Sequence, residues 1–533
     1  MATDKALLYD TNTETDWDCS IVLELSEDDV FFDKKKKLLQ NKGFSTKERV
    51  YFKSSLDPKW MNTTVKALLQ IARIILLDEV ELYFAEDNGC SPVEYYSHKN
   101  EIVALNSIIS SIDNSITSSL SKKNRSCDLE EDLLKWGESN GVQTRLQIAY
   151  VQGAGRGAIA KEDLKVGDMA LEIPVSIIIS DKLVHESDMY HVLGKIDGIS
   201  SETMLLLWSM KEKHNCNSKF KIYFDSLPEQ FNTGLSFGVE AIMNLDGTLL
   251  LEEVTQAREH LHAQYDELFP TLCNDHPDVF PPELYTWEHF LWACELWYSN
   301  SMKIMFSDGK LRTCLIPIAG FLNHSLCPHI MQYGKVDTAK NSLQFHLSRP
   351  CKTGEECFLS YGNLSSSHLI TFYGFYPQGD NPYDVIPLDL DAPEADSTED
   401  TSMSDTDRIA HMVRGTWHSK NHDIFYYGLP SALLNHLRRS RSPVLQTKTL
   451  LQENLTDELE LLEDLHVIFD DMMENFADTD HVNRENTSWD VKLAVDFTIL
   501  QRSIVSSILT SFHSGIKMVK YEFDRCMAEE LRG

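Results

Sequence analysis

Hydrophobic and polar residues alternate in two stretches of the chain. Leu146, Ile148 and Tyr150 form the first, and the apolar residues at every second position of 169–179 form the second. A period of two places these side chains on one face of an extended strand. Pro174 interrupts the second stretch and removes a backbone donor, so the pattern predicts two short strands there.

Apolar residues recur at helical spacing over much of the rest. Residues 63–84 and 128–139 show the pattern, and most of 201–310 does as well. The segment 287–299, WEHFLWACELWYS, combines helical spacing with large aromatic residues, and we interpret its tryptophans as core. Residues 411–533 also follow helical spacing and predict a second helical region.

Two polar segments divide the chain. Residues 121–126, SKKNRS, read as a linker, and 389–407 contain acidic residues and little that packs. We therefore expect a helical N-terminal extension over 1–126, an acidic linker over 386–410 and a helical C-terminal domain over 411–533.

The net charge of −33 narrows the class of partner. Nucleic-acid binding requires clustered Lys and Arg, so we expect no nucleic-acid partner. An acidic surface suits a basic peptide or protein, and it equally suits solubility alone.

The N-terminus, MATDKALLYDTNTETDWDC, has no apolar core typical of a signal peptide, and it is not rich in Arg and Ser like a transit peptide. The apolar run 74–77 is far shorter than a membrane span. The eleven cysteines include no CxxC pair; Cys351 and Cys357 alone do not make a zinc site. We expect a cytoplasmic or nuclear monomer with reduced thiols, no membrane partner and no metal.

Three glycines, Gly153, Gly155 and Gly157, follow the first predicted strand. A dinucleotide-binding loop needs the spacing GxGxxG and a helix directly after it. Here the spacing is GxGxG, residues 158–160 continue as a strand, and 165–168 already form the next turn. We therefore expect a β-hairpin whose glycines allow the backbone to approach a ligand.

Two apolar runs end in polar groups. Residues 315–322 lead into Asn323-His324-Ser325, and 356–359 lead into Ser360-Tyr361-Gly362. Taken singly, an Asn-His pair or a Ser-Tyr-Gly sequence is an ordinary strand end or turn. The chemistry is suggested by the order of the three motifs together.

The GxG loop, Asn-His-Ser and Ser-Tyr-Gly, in that order, resemble the SET-domain protein methyltransferases. The residues around these motifs are similar to those of the subgroup that contains the Rubisco large-subunit and actin-histidine methyltransferases. This resemblance implies an α+β fold, with a SET domain of short strands over 127–385 and a helical insert at about 201–310. Residues 428–440 resemble the start of that subgroup's helical substrate-binding domain.

The resemblance also implies S-adenosylmethionine as cofactor. By this analogy the backbone of Ala154, Gly155 and Arg156 contacts the cofactor, Asn323 binds its amino-acid end, and the backbone of His324 reads the adenine edge. These roles require fixed hydrogen-bonding groups at a buried site.

Tyr361 takes the position of the family's active-site phenol beside the transferred methyl group, and Tyr373 and Phe375 line the cofactor pocket. Methyl transfer is an in-line displacement that depends on positioning. The attacking amine must be neutral, although a free Lys has a pKa of about 10.4. Apolar surroundings and a nearby sulfonium lower that pKa, so an aromatic channel suits a lysine methyltransferase.

The sequence departs from the family pattern at three positions: Gly320 stands in place of Asp, Asn300 in place of an Arg that engages the cofactor carboxylate, and Ser366 in place of Asn. Lys303 lies one turn after Asn300, but it lacks the planar fork of Arg. These departures predict weakened cofactor binding. We predict a protein N-methyltransferase that acts on a lysine of a non-histone protein, with histidine as the less expected target. The alternative is a non-catalytic SET scaffold that binds a protein partner.

Overall fold

The computed structural model describes most of the chain beyond residue 127. The described residues are 19–25, 27, 32, 36, 39, 45–52, 128–151, 155–325, 328–331, 333–377, 381, 383–388, 411–413, 425–426, 429–430, 437, 455–479, 482 and 487–530. The predicted helix at 63–84 and the linkers at 121–126 and 389–407 lie outside them.

The strands are short. They are β1 Cys19–Glu24, β2 Lys47–Phe52, β3 Gln143–Thr144, β4 Leu146–Val151, β5 Gly155–Ala160, β6 Met169–Pro174, β7 Ser301–Met305, β8 Leu311–Leu315, β9 Val336–Asp337, β10 Ser342–His346, β11 Ile386–Leu388, β12 His411–Val413, β13 Phe425–Tyr426 and β14 Leu429–Pro430. β3, β6, β10 and β9 form one four-stranded sheet, and the other strands pair two by two.

In the described part of the chain, helices precede β3, fill the insert between β6 and β7, lie between β10 and β11, and form the C-terminal region. They are α1 Asp128–Ser139, α2 Asp181–His185, α3 Tyr190–Leu193, α4 Ser201–Lys213, α5 Lys221–Ser226, α6 Val239–Met243, α7 Leu249–Asp275, α8 Trp287–Asn300, α9 Ser366–Tyr373, α10 Leu455–Asn475 and α11 Trp489–Glu530. Single 3-10 turns lie at Val175–Ile177, Gly234–Ser236 and Ala319–Phe321. The predicted α+β class is confirmed.

Three local expectations change. β1 and β2 pair as an antiparallel ribbon, so residues 1–126 are not helical throughout; β-branched residues such as Ile21 and Val22 favour a strand there. Likewise, β12, β13 and β14 interrupt 411–533 before its helices begin. Within 169–179, Val175–Ile177 form a 3-10 turn because the β6–β10 pairing ends at Pro174, and beyond the turn Ile179 forms an isolated bridge with Leu315.

The tryptophans of α8 belong to the core, as predicted. Trp292 and Trp297 are buried. Each indole N–H finds an acceptor inside the insert: Trp292 donates to the carbonyl of Pro228, and Trp297 donates to Ser209 Oγ at 2.9 Å. Buried indoles need such partners. The insert therefore fixes the end of α8, where Asn300 lies.

The C-terminal helices α10 and α11 pack side by side. Phe469 of α10 meets Phe512 of α11, and both rings are fully buried. The start of α11 docks on the insert, where Asp490 accepts a hydrogen bond from the backbone of Gly238 at 2.9 Å. Over Trp489–Ala528, α11 is long and apolar enough to cross a membrane by length and composition alone, a test that core helices of soluble proteins also pass.

Candidate active site

The glycine loop is a β-hairpin and does not open a helix. β4 and β5 pair antiparallel, with Val151 opposite Gly155. Gly155 has φ of +76°, a left-handed conformation that glycine adopts without steric cost. Ala154 lies outside the described residues. Because a hairpin and not a helix follows the glycines, this is not a dinucleotide-binding loop. The hairpin backbone lies at one edge of the site, where it can contact a ligand.

The side chain of Arg156 serves the fold. Its Nη1 donates to Glu130 Oε1 at 2.9 Å and to the carbonyl of Ser226 at 2.5 Å, and its guanidinium lies over the ring of Phe321. Its backbone carbonyl points the other way and accepts a hydrogen bond from Asn323 Nδ2 at 3.0 Å. The side chain of Arg156 is therefore engaged by α1, α5 and the ring of Phe321, and its backbone carbonyl contacts Asn323.

The segment before Tyr361 holds the site together. On one side Cys357 N–H donates to the carbonyl of Ala158 in β5 at 2.7 Å. On the other side Leu359 N–H donates to the carbonyl of Asn323 at 2.8 Å, and Ser325 N–H donates back to Leu359 at 3.1 Å. Residues far apart in sequence thus meet around one segment.

Tyr361 is held at both its ends. Its backbone N–H donates to His324 Nδ1 at 3.0 Å, and its phenol donates to the carbonyl of Leu322 at 3.1 Å. Burial raises the pKa of Tyr361 far above its usual range, so the phenol stays protonated at neutral pH. A neutral phenol oxygen in a fixed position can orient a neighbouring group without adding charge.

His324 is a neutral ring in this arrangement. Burial lowers its pKa to about 4. Since Nδ1 accepts the bond from Tyr361, the proton resides on Nε2. Nε2 is buried and has no hydrogen-bond partner among the described residues. A buried unsatisfied donor of this kind suits a site that receives a ligand.

Aromatic rings line the site. The ring centroids of Tyr361 and Tyr373 are 5.0 Å apart, and Phe375 lies 6.5 Å from both. His324 lies 5.2 Å from Tyr361. The structure therefore brings together Tyr361, Tyr373, Phe375, His324 and Asn323 as the motifs predicted, with the hairpin at Gly155–Arg156 beside Asn323.

Two of the departures from the family pattern face each other. A methyl group placed on Gly320 would lie 3.1 Å from Asn300 Oδ1. Asn300 is otherwise held by its own neighbour, since its Nδ2 donates to Ser299 Oγ at 2.7 Å. The two changes from charged to neutral residues are therefore one local feature. Lys303 is exposed on β7.

The third departure, Ser366, is bound to Asp384. It is buried at the start of α9, where its N–H and hydroxyl both donate to the carboxylate of Asp384, at 2.6 and 2.7 Å. Ser366 therefore shapes the helix that carries Tyr373 and does not line the site directly.

Asp384 predicts a pH effect on stability. Burial raises its pKa to about 6, although the bonds from Ser366 oppose the shift. Between its unfolded and folded pKa values the folded protein holds the extra proton, so stability falls as the pH rises. We expect ionisation of Asp384 to lower the free energy of unfolding by about 1 kcal/mol between pH 5 and pH 7.

Urea unfolding at several pH values tests this expectation. The free energy of unfolding of Asp384→Asn should depend less on pH, by that amount, while the exposed Asp278→Asn variant should match the wild type. An equal pH dependence in all three proteins would contradict the role of Asp384.

A buried cluster lies beside the site, formed by His329, Cys351 and Cys357. Their ligand atoms lie within 4.8 Å of one another, which is compatible with a metal ion. Both ring nitrogens of His329, however, are already approached by donors: the N–H of Phe358 contacts Nδ1, and Arg349 Nη2 contacts Nε2, each at 3.0 Å. Neither nitrogen presents a free lone pair in this arrangement.

Sequence reasoning missed one residue of the site, Glu356, and the room that Gly157 leaves for it. Glu356 Oε1 accepts a hydrogen bond from Asn323 Nδ2 at 2.7 Å. Gly157 makes room for it, since a methyl group there would overlap that oxygen. The signal was present in the sequence as an acidic residue in the apolar run before Tyr361, together with a third glycine at a fixed distance from the other two.

Residues 155–362 match the family model of the SET domain. The chain carries a SET domain. It is 26% identical over 272 residues to the [fructose-bisphosphate aldolase]-lysine N-methyltransferase of Arabidopsis thaliana, covering 49% of this chain and 55% of that protein. It is 25% identical over 315 residues to the Rubisco large-subunit N-methyltransferase of Pisum sativum, with coverages of 57% and 62%. The SET domain was therefore predicted correctly from its three motifs.

A more distant likeness extends to histidine-modifying relatives. The actin-histidine N-methyltransferase of Canis lupus familiaris is 23% identical over 279 residues, covering 50% of this chain and 46% of that protein. The chain thus spans less than two thirds of the length of these relatives. The crystal structure of the SET domain of LSMT bound to lysine and AdoHcy superimposes with a TM-score of 0.56 at 20% identity, covering 75% of this chain and 95% of that one. This likeness supports the fold.

Proposed function

We propose that the protein is an S-adenosylmethionine-dependent protein N-methyltransferase that acts on a lysine side chain of a non-histone protein. The observation that carries the proposal is the convergence of Asn323, Tyr361 and the Gly155 hairpin on one aromatic-lined site. Relatives named for lysine methylation match this domain, and one similar solved structure is that of Rubisco LSMT bound to AdoMet.

The residues present fit such a cofactor. The exposed hairpin backbone, the amide of Asn323 and the unsatisfied Nε2 of His324 offer fixed polar groups, and the aromatic rings offer flat apolar surface. When bound, the cofactor supplies an electrophilic methyl group on a sulfonium. Asn323 would hold its amino-acid end, and Tyr373 and Phe375 would border it.

Tyr361 orients the reacting groups. Its phenol oxygen is fixed by the bond to Leu322 and lies among rings that exclude water. Such surroundings lower the pKa of an incoming lysine, because burial disfavours the ammonium form. The lysine would lose its proton to solvent before it enters the site lined by these rings, and positioning would provide most of the acceleration. The net charge of −33 suits a basic substrate segment around that lysine.

The direct test uses two measurements on the full chain. Isothermal titration with S-adenosylhomocysteine tests cofactor binding, and incubation of the protein with methyl-labelled S-adenosylmethionine and a cell lysate tests transfer. We expect both to be positive, with label on lysine after hydrolysis. Label on histidine would redirect the proposal to the second residue class, and binding without any transfer would contradict a catalytic role.

The Asn300–Gly320 contact favours one second candidate, a SET scaffold that binds a protein partner without turnover. Both positions lack the charge that the family pattern places there, so the site has lost a cationic anchor for the cofactor carboxylate. The scaffold reading predicts no measurable cofactor affinity at millimolar ligand, whereas the enzyme reading predicts weakened but measurable affinity.

Restoring the cationic anchor should strengthen binding. Asn300→Arg is expected to tighten S-adenosylhomocysteine binding about 10-fold, since a hydrogen bond to a charged group contributes about 1.5–3 kcal/mol. Adding Gly320→Asp should hold the guanidinium in place, so that the double variant binds at least as tightly as Asn300→Arg.

The control for added charge is Met243→Arg, which places the same cation on an exposed position of α6. Titration calorimetry should give it the wild-type affinity. If Asn300→Arg also binds with unchanged affinity, the departure at position 300 has no bearing on cofactor binding.

A further inference from the structure

Asn323 is held in one orientation by two acceptors. Its Nδ2 donates to the carbonyl of Arg156 at 3.0 Å and to Glu356 Oε1 at 2.7 Å. An amide nitrogen has two hydrogens, so both are used. Asn323 Oδ1 accepts no hydrogen bond from any residue that the structure describes, and it is the part of the amide left for a ligand.

Glu356 reaches this position by an unusual route. Its backbone bridges to Ile159 in β5, and its side chain extends beneath the hairpin. It fits there only because residue 157 is glycine, since a methyl group would overlap the carboxylate. The hairpin therefore accommodates Glu356 as well as leaving its own backbone open.

The carboxylate has no ion-pair partner in the described part of the chain. Burial raises its pKa, and the bond from Asn323 only partly opposes this. The Asn323 amide is therefore the hydrogen-bond partner that holds this carboxylate. The strongest hydrogen-bond donor that the proposed cofactor offers to the open Asn323 Oδ1 is the ammonium of its amino-acid end.

We propose that Glu356 is a positioning residue that fixes the amide of Asn323, so that Oδ1 accepts a hydrogen bond from the cofactor's ammonium group. This inference rests on the proposed function. Removing Glu356 would leave the Asn323 amide held by the Arg156 carbonyl alone, so that it rotates more readily and presents its Nδ2 hydrogens, which repel an ammonium. The effect is specific to ligands that carry this ammonium.

The test compares two ligands on the full chain: S-adenosylhomocysteine and its analogue without the α-amino group. Glu356→Met removes the acceptor at similar volume. We expect it to weaken S-adenosylhomocysteine binding about 10-fold, the loss of one charge-assisted hydrogen bond. Binding of the deamino analogue should change less than about 2-fold, because that ligand makes no such bond.

Two further variants separate positioning from a structural role. Glu356→Gln keeps an oxygen acceptor and should restore affinity to within about 3-fold of the wild type. Glu355→Met, at the exposed neighbouring position, should bind both ligands like the wild type. Calorimetry provides the affinities, and thermal unfolding confirms that each variant is folded.

The outcomes are distinct. An equal loss for both ligands in Glu356→Met would overturn the positioning role in favour of a structural one. Failure of Glu356→Gln to restore affinity would also overturn it, because the charge and not the amide orientation would then matter. A wild type that binds neither ligand would refute the proposed function and this inference with it, whereas failure of the inference alone requires a wild type that binds.

Discussion

Replacing Tyr361 by Phe is expected to lower kcat for methyl transfer about 100-fold, with little change in cofactor affinity. The variant keeps the ring that packs against Tyr373 and removes only the hydroxyl that donates to Leu322 at 3.1 Å. A small misplacement of the reacting groups costs about that much in rate. A contact that acts mainly in the transition state affects kcat more than binding.

The measurement is single-turnover transfer of a labelled methyl group to the substrate protein, with calorimetry for cofactor affinity. Tyr285→Phe is the matched control, since that phenol is also buried and donates to a backbone carbonyl, that of Leu207, at 3.2 Å inside the insert. It should leave kcat within about 2-fold of the wild type. Undiminished turnover in Tyr361→Phe would remove Tyr361 from the mechanism.

The local pattern of residues was sufficient to predict secondary structure where a short segment determines its own conformation. The glycine spacing excluded a helix after Gly157, and the alternation of Leu146, Ile148 and Tyr150 predicted the strand before it; β4 and β5 form that hairpin. The helical spacing of 287–299 likewise predicted α8. In each case the signal lies within a few consecutive residues, which is the range over which periodicity is informative.

The pattern of apolar and polar residues did not predict the structure where a pairing partner distant in sequence determines it. The alternation from 169 to 179 continues past Pro174, but β10 ends its pairing there, so Val175–Ile177 turns instead. The contact of Asn300 with Gly320 and that of Glu356 with Asn323 were also invisible, because each joins segments whose spacing in the chain carries no signal. Only the order of the family motifs predicted that such segments meet.

Gly374 lies between Tyr373 at the end of α9 and Phe375, and its replacement should strongly destabilise the fold. It ends α9 in a left-handed conformation, φ of +75°, and its N–H donates to the carbonyls of Leu369 and Ile370. A methyl group there would overlap the carbonyl oxygen of Asn232 and lie 2.6 Å from its carbonyl carbon. The Asn232 backbone cannot easily retreat, since the next residue, Thr233, is buried and bound to Glu295 at 2.6 Å.

Gly374→Ala should therefore lower the free energy of unfolding by about 3–5 kcal/mol, from left-handed strain of about 1–2 kcal/mol and a steric overlap of similar or larger cost. Gly309→Ala separates the two contributions. Gly309 has φ of +76° but no atom within 4 Å of an added methyl group, so it should lose only about 1–2 kcal/mol. Urea unfolding of both variants measures the difference, and equal losses would show that the Asn232 contact yields. Because Tyr373 and Phe375 flank this glycine, the overlap would also displace the rings beside Tyr361, and cofactor affinity should fall in Gly374→Ala but not in Gly309→Ala.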